Sequence, residues 1–118
     1  TRLKKQMIKI KTIVHTLEDV ANRYGLKILS LDFTDITLIS RIGFSFEIFI
    51  QIYANVRKDK VNMALIIADE RIYGIDKEGG IYHEHPFENP SLHIPTELIE
   101  IEDFIMRSLE FLKRLKLI

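Results

Sequence analysis

Apolar residues recur at Leu3, Met7, Ile10, Val14, Leu17, Ala21 and Tyr24, at alternating spacings of four and three. That spacing holds them on one narrow stripe of a helix. Gly25 follows where a helix C-terminus favours a residue free to turn left-handed. Residues 1–25 therefore read as an amphipathic helix whose stripe lies on a sheet or against a second helix. His15 falls off the stripe and is expected in solvent.

The period then changes to two. "LKILSLDF" and "ITLISRI" read as a hairpin around Thr34-Asp35, and "FSFEIFIQIYANV" alternates from Phe44 to Val56 with one face built for a core. "RKDK", "DE" and "KEGG" separate the next runs, "VNMALIIA", "RIYGID" and "IYHEH". Loops this short join antiparallel neighbours, so residues 44–86 are expected to form a meander. Pro86 and Pro90 end the regular pairing. Helical spacing returns in "LIEIEDFIMRSLEFLKRLKLI", with Ile101, Ile105, Leu109 and Leu112 on one side. Its start is open between a cap at Thr96 and a beginning near Glu102. The expected architecture is one α+β domain, a two-layer sandwich with a five- to six-stranded antiparallel sheet. Its parts are a helix over 1–25, the sheet over 26–86, a proline loop over 87–97 and a helix over 98–116.

The turns also set a register. Placing Arg57 opposite Lys60, Ala68 opposite Arg71 and Asp76 opposite Ile81 lines up Ile52, Leu65, Gly74 and His83 on the apolar face. His83 and His85 then point to the covered side, about 6.5–7 Å apart along their strand. Gly74, opposite His83, would leave room for a ligand or a close backbone. Gln51, Tyr53, Arg71, Tyr73, Tyr82 and Glu84 would share the other face, where tyrosines either stack bases or brace the sheet.

Composition narrows the function classes. The chain has 118 residues, 47% of them hydrophobic and 29% charged, as ordinary globular domains do. No apolar run is long enough to span a membrane and no secretory leader is recognisable, so a cytoplasmic location is expected. The absence of cysteine removes disulfides and thiolate metal sites. The net charge of zero hides an asymmetry: residues 1–60 carry 11 Lys/Arg against 6 Asp/Glu, and residues 61–118 carry 6 against 11. Such a basic half faces nucleic acid, a solvated surface or a second subunit. Twenty isoleucines, with no Cys or Trp, hint at a thermophilic source.

The candidate chemistry sits in "GGIYHEHPFENPSLH", residues 79–93, which holds three of the four histidines. His83, His85 and His93 could ligate a metal through three imidazoles, with Asp76 or Glu88 as a fourth ligand. The same residues suit metal-free acid–base chemistry. In RNA cleavage by the 2′-hydroxyl, one group takes a proton, one gives a proton, and a cation such as Arg71 stabilises the phosphorane. The third reading is structural, with each imidazole buried and hydrogen-bonded. No P-loop, H-E-x-x-H or Gly-x-Ser-x-Gly motif is present.

Over "RIYGIDKEGGIYHEHPFENPSLH" the chain resembles the toxin subunits of the TumE family of prokaryotic type II toxin–antitoxin modules. The resemblance covers about residues 44–112. It rests on an R-x-Y/F-G-x-D strand, a short turn, an H-x-H-P run and a later His before a helix. It implies a growth-inhibiting protein silenced by an antitoxin and acting on RNA; separately, no cofactor is expected. The positions that carry over are Arg71, Tyr73, Gly74, Asp76, His83, His85 and His93. Taken with the residues, this makes His83, His85, His93 and Arg71 the expected catalytic group, with no metal assigned. Tyr73, Gly74, Asp76 and Tyr82 are the expected binding residues. The alternatives are a non-catalytic protein-binding or homodimerisation module and a His-rich metal-binding domain.

Overall fold

The structure, a computed structural model, describes residues 1–118. Helix α1 spans Arg2–Tyr24. Seven strands follow: β1 Lys27–Phe33, β2 Thr37–Gly43, β3 Ile48–Asn55, β4 Lys60–Ile67, β5 Glu70–Glu78, β6 Ile81–His85 and β7 Ile94–Thr96. Helix α2, Ile101–Arg114, closes the chain. The strands form one antiparallel sheet in simple sequence order, β1 to β7. No helix is long and apolar enough to cross a membrane.

The helix ends follow local chemistry. The Lys4 backbone N–H donates to Thr1 Oγ1 at 3.1 Å, satisfying one orphan donor at the start of α1. Gly25 closes it at φ 67°, the left-handed conformation expected of a glycine there. The buried stripe differs from expectation at its edges: Gln6 and Val20 are buried, while Leu3 is 52% exposed. Helix α2 starts at Ile101, where the Glu100 backbone N–H donates to the Asp103 carboxylate at 3.3 Å. Thr96 does not cap it, because Thr96 belongs to β7.

Both helices cover one face of the sheet, α1 over β1 and β2 and α2 over β4. The core lies between them, built from Ile10 and Leu17 of α1, Phe104 and Ile105 of α2, and Ile42, Ile52, Leu65 and Ile75 of the sheet. Each such aliphatic side chain contributes about 1.5–3 kcal/mol by leaving water. A helix layer on a sheet layer is the two-layer arrangement the patterning predicts.

Three expectations are corrected. The sheet has seven strands rather than five or six, because residues 94–96 of the expected proline loop pair with β6. Pro95 is tolerated there because β7 is an edge strand, where a missing N–H breaks no inner ladder. Strand β3 begins at Ile48 rather than Phe44, since the Phe44 and Ser45 N–H groups fold back onto Ile48 O at 3.2 and 3.3 Å.

The third correction concerns register. Asn55, not Arg57, opposes Lys60, and Glu78, not Asp76, opposes Ile81 across the Gly79-Gly80 turn. These two-residue slips leave the faces unchanged. The β4–β5 hairpin does not: Ala68 and Asp69, at φ 50° and 66°, form a tight two-residue turn. Ile66 then opposes Arg71, but Leu65 opposes Tyr73, so Ile72 is an extra residue, a β-bulge. Because strand side chains alternate with period two, one extra residue reverses every face beyond it. Gly74, Asp76, His83 and His85 therefore lie on the face away from the helices, in register with Ala64 and Asn62 instead of Leu65 and Ile52. Tyr73, Tyr82 and Glu84 lie on the helix face.

Candidate active site

Strands β5 and β6 place Asp76 directly opposite His83 and Gly74 opposite His85. The chain beyond Pro86 turns back, and β7 brings Pro95 opposite His83 and Ile94 opposite Glu84. His93, one residue before β7, thereby arrives on the same face as the other two imidazoles. Its ring centroid is 4.3 Å from that of His85 and 6.4 Å from that of His83, both edge-on.

His85 is the buried hub of this cluster, only 1% exposed. Its Nε2–H donates to Asp76 Oδ2 at 2.8 Å. Nδ1 lies 3.1 Å from the Pro90 carbonyl oxygen and 3.3 Å from Arg71 Nη2. With the ring neutral, Nδ1 accepts from Arg71; with both nitrogens protonated, it donates to Pro90 O. In either state each nitrogen has a partner, as a buried polar group requires. His85 thus holds other groups in place rather than facing a substrate.

Arg71, next to the bulge residue, is exposed, and its Nη2–H donates to Pro90 O at 3.3 Å. Its Nε and Nη1 make no hydrogen bond to the protein, which leaves charged N–H donors on both flanks of the guanidinium for an anion. His83 is half-buried and His93 exposed, so both rings remain accessible.

Gly74 has a different role from the one expected. A Cβ there would meet Arg71 Cδ and Met63 O at 3.2 Å and His85 Cδ2 at 3.6 Å. The missing side chain makes room for the arginine stem and the imidazole edge, and no ligand space remains at that point. Glycine here marks a close approach within the protein.

Two expected binding residues lie away from the cluster. Tyr73 is 1% exposed, stacked on Phe104 at 5.2 Å, and its hydroxyl accepts from Arg107 Nη1 at 3.3 Å. Burial pushes its phenol above the ordinary tyrosine value. Tyr82, half-buried on the helix face, lies under Lys77 Nζ at 5.6 Å. The cations of α1, Arg2, Lys4, Lys5, Lys9 and Lys11, are exposed on an element that packs over β1 and β2 on the helix face, opposite to the face that carries the histidines. His15 is exposed, as expected.

The structure adds partners that sequence reasoning did not single out. The Pro90 carbonyl joins Arg71 and His85, and a backbone oxygen carries no sequence signal. Asn62, opposite both Asp76 and Tyr53, has a buried Oδ1 without a hydrogen-bond partner. No group of three or more His, Asp or Glu side chains has a metal-ligating arrangement. Chemically, the cluster offers two accessible imidazoles, a guanidinium with free donors and a buried His–Asp brace. No protein-family profile, curated protein or solved structure matches this chain.

Proposed function

We propose that this chain is an RNA-cleaving, toxin-like component of a toxin–antitoxin module, acting in the cytoplasm and silenced by its antitoxin protein. The observation that carries the cleavage reading is the pair of accessible imidazoles, His83 and His93, with ring centroids 6.4 Å apart, in the same cluster as Arg71, whose Nε and Nη1 donors have no protein partner. A phosphodiester laid across the open side of this edge-to-face pair would meet both rings. One imidazole takes the proton of the ribose 2′-hydroxyl, whose oxygen attacks the adjacent phosphorus. The other gives a proton to the departing 5′-oxygen, leaving a 2′,3′-cyclic phosphate. Arg71 stabilises the negative charge that builds on the equatorial oxygens. His85 and Asp76 are positioning residues that hold Arg71 and the 90–93 segment in place. The toxin–antitoxin setting rests on the TumE-like resemblance, of which Arg71, Gly74, Asp76, His83, His85 and His93 gather in this one cluster.

The test is cleavage of single-stranded RNA by purified protein, with growth followed on induced expression. His83→Gln and His93→Gln should each lower cleavage at least a hundredfold, within the range general acid–base groups contribute, roughly 10²–10⁴-fold. Their melting temperatures should stay at the wild-type value, and RNA with a 2′-deoxy nucleotide at the scissile position should resist. Retained cleavage in both variants, or equal cleavage of the 2′-deoxy substrate, would refute the mechanism.

A second reading, a homodimerisation or protein-binding module, has one feature behind it. Strand β1 is a free sheet edge, with Phe33 at its end 52% exposed, and such edges pair with other chains. A concentration-dependent mass in solution together with intact RNA would favour it.

A further inference from the structure

We infer that the apolar cleft beside Arg71 is a nucleobase subsite, receiving the base of the nucleotide whose phosphate Arg71 holds. This rests on the RNA reading above and names how the substrate is gripped. The cleft, about 650 Å³, lies between the β4–β5 hairpin, the proline loop and the end of the chain. Ile72, Phe87, Leu115 and Leu117 supply its apolar walls, and Arg71 and Pro90 belong both to it and to the histidine cluster. One guanidinium therefore borders both, so a phosphate held by its unpaired Nε or Nη1 donor would place its nucleoside beside the cleft.

The walls suit a flat, largely apolar body. Phe87 is stacked on Phe111 at 4.5 Å, with Arg114 5.7 Å from its centroid, which holds the ring in a fixed orientation. Leu115 and Leu117 are 43% and 44% exposed, apolar surface that an inserted base would remove from water. The remaining charged lining residue is Glu70. Its carboxylate only accepts hydrogen bonds, so it selects an occupant with N–H donors on its edge. Guanine presents two adjacent donors, N1–H and N2–H, matching the two carboxylate oxygens. An acyl chain would fill the apolar part but offer Glu70 nothing in exchange for lost water. The bulge thus serves the site twice: it turns the histidines to the open face and sets Arg71 and Ile72 side by side at the mouth of the cleft.

The experiment titrates the full chain with 2′-deoxyguanosine 3′-phosphate, which has no 2′-hydroxyl. The comparison ligands are thymidine 3′-phosphate and base-free deoxyribose 3-phosphate. The guanine nucleotide should bind about tenfold or more tightly than the base-free ligand, in line with the worth of a buried, stacked base. Leu117→Asp, at an exposed position outside the core, should abolish that advantage, and Glu70→Gln should erase the preference over thymidine. Equal binding of nucleotide and base-free phosphate, or an unchanged advantage in Leu117→Asp, would overturn the subsite. Base-dependent binding without RNA cleavage would sink the cleavage reading and leave the subsite standing. Cleavage without base dependence would do the reverse.

Discussion

Replacing His85 by alanine is expected to unfold this protein far more readily than replacing His83, although the two residues sit two apart on one strand. His85 is 1% exposed and held at both nitrogens, by Asp76 Oδ2 at 2.8 Å and by the Pro90–Arg71 pair at 3.1 and 3.3 Å. The hydrogen bond to the carboxylate is worth about 2 kcal/mol and the other about 1 kcal/mol. Deleting the ring also leaves a void beneath His93 that only partly collapses, adding about 1–2 kcal/mol. The expected loss is about 4–5 kcal/mol, a large share of the stability of a single domain. At about 2.1 cal/mol/K of unfolding entropy per residue, each kcal/mol in a chain of 118 residues moves the midpoint by about 4 °C. His85→Ala should therefore melt about 15–20 °C below wild type, whereas half-buried His83→Ala should melt within a few degrees of it. Thermal denaturation followed by circular dichroism, with urea titration as a second route, reads both. In a double-mutant cycle with Asp76→Asn, the pair should be strongly non-additive. A His85→Ala protein melting within about 3 °C of wild type would show that the His85 hub carries no load, and the positioning role would fall with it.

The strand glycine gives a related expectation. Gly74→Val should cost about 2 kcal/mol, within the range for overpacking, because the new methyls meet the Met63 carbonyl and the Arg71 stem already 3.2 Å from a single Cβ. It should also weaken binding of 2′-deoxyguanosine 3′-phosphate by displacing Arg71; wild-type stability and affinity would contradict the close-approach assignment. At the other end of the fold, Arg23 of α1 hydrogen-bonds Glu102 of α2 and holds its carboxyl below the ordinary value of 4.5. A carboxyl depressed in the folded state stabilises above its unfolded pKa, and that stability is lost as pH falls through the lower folded value. The Arg23→Met variant should therefore lose less stability than wild type as pH is lowered from about 4.5. Arg23 is exposed and Glu102 only half-buried, so the difference should be small and fade in high salt. Parallel acid limbs at low ionic strength would rule the pair out as a stabilising contact.

The sequence by itself determined the order of the two helices and of β1 to β6, but not β7, and the reason is local. Helix α1, its end at Gly25, the β1–β2 hairpin and the alternating core of β3 all follow from periods of 3.6 and 2 and from turn residues. It also located the histidine cluster along the chain, together with Arg71 and Asp76. What only the tertiary structure decided was which way these groups face and what they touch. Side-chain direction in a strand depends on the parity of residues between turn and site, and the bulge at Ile72 inverted it. In "DERIYGID" the lone strand glycine marks either a bulge or a close backbone approach, and the sequence does not choose between them or place the extra residue at Ile72. The same limit separated the histidines by role. His83 and His85 look equivalent in "HEH", but opposite His85 stands Gly74, and over it folds the Pro90 carbonyl. These partners meet only when the β5–β6 hairpin and the loop after Pro86 have folded, and they bury one imidazole while leaving its neighbour accessible.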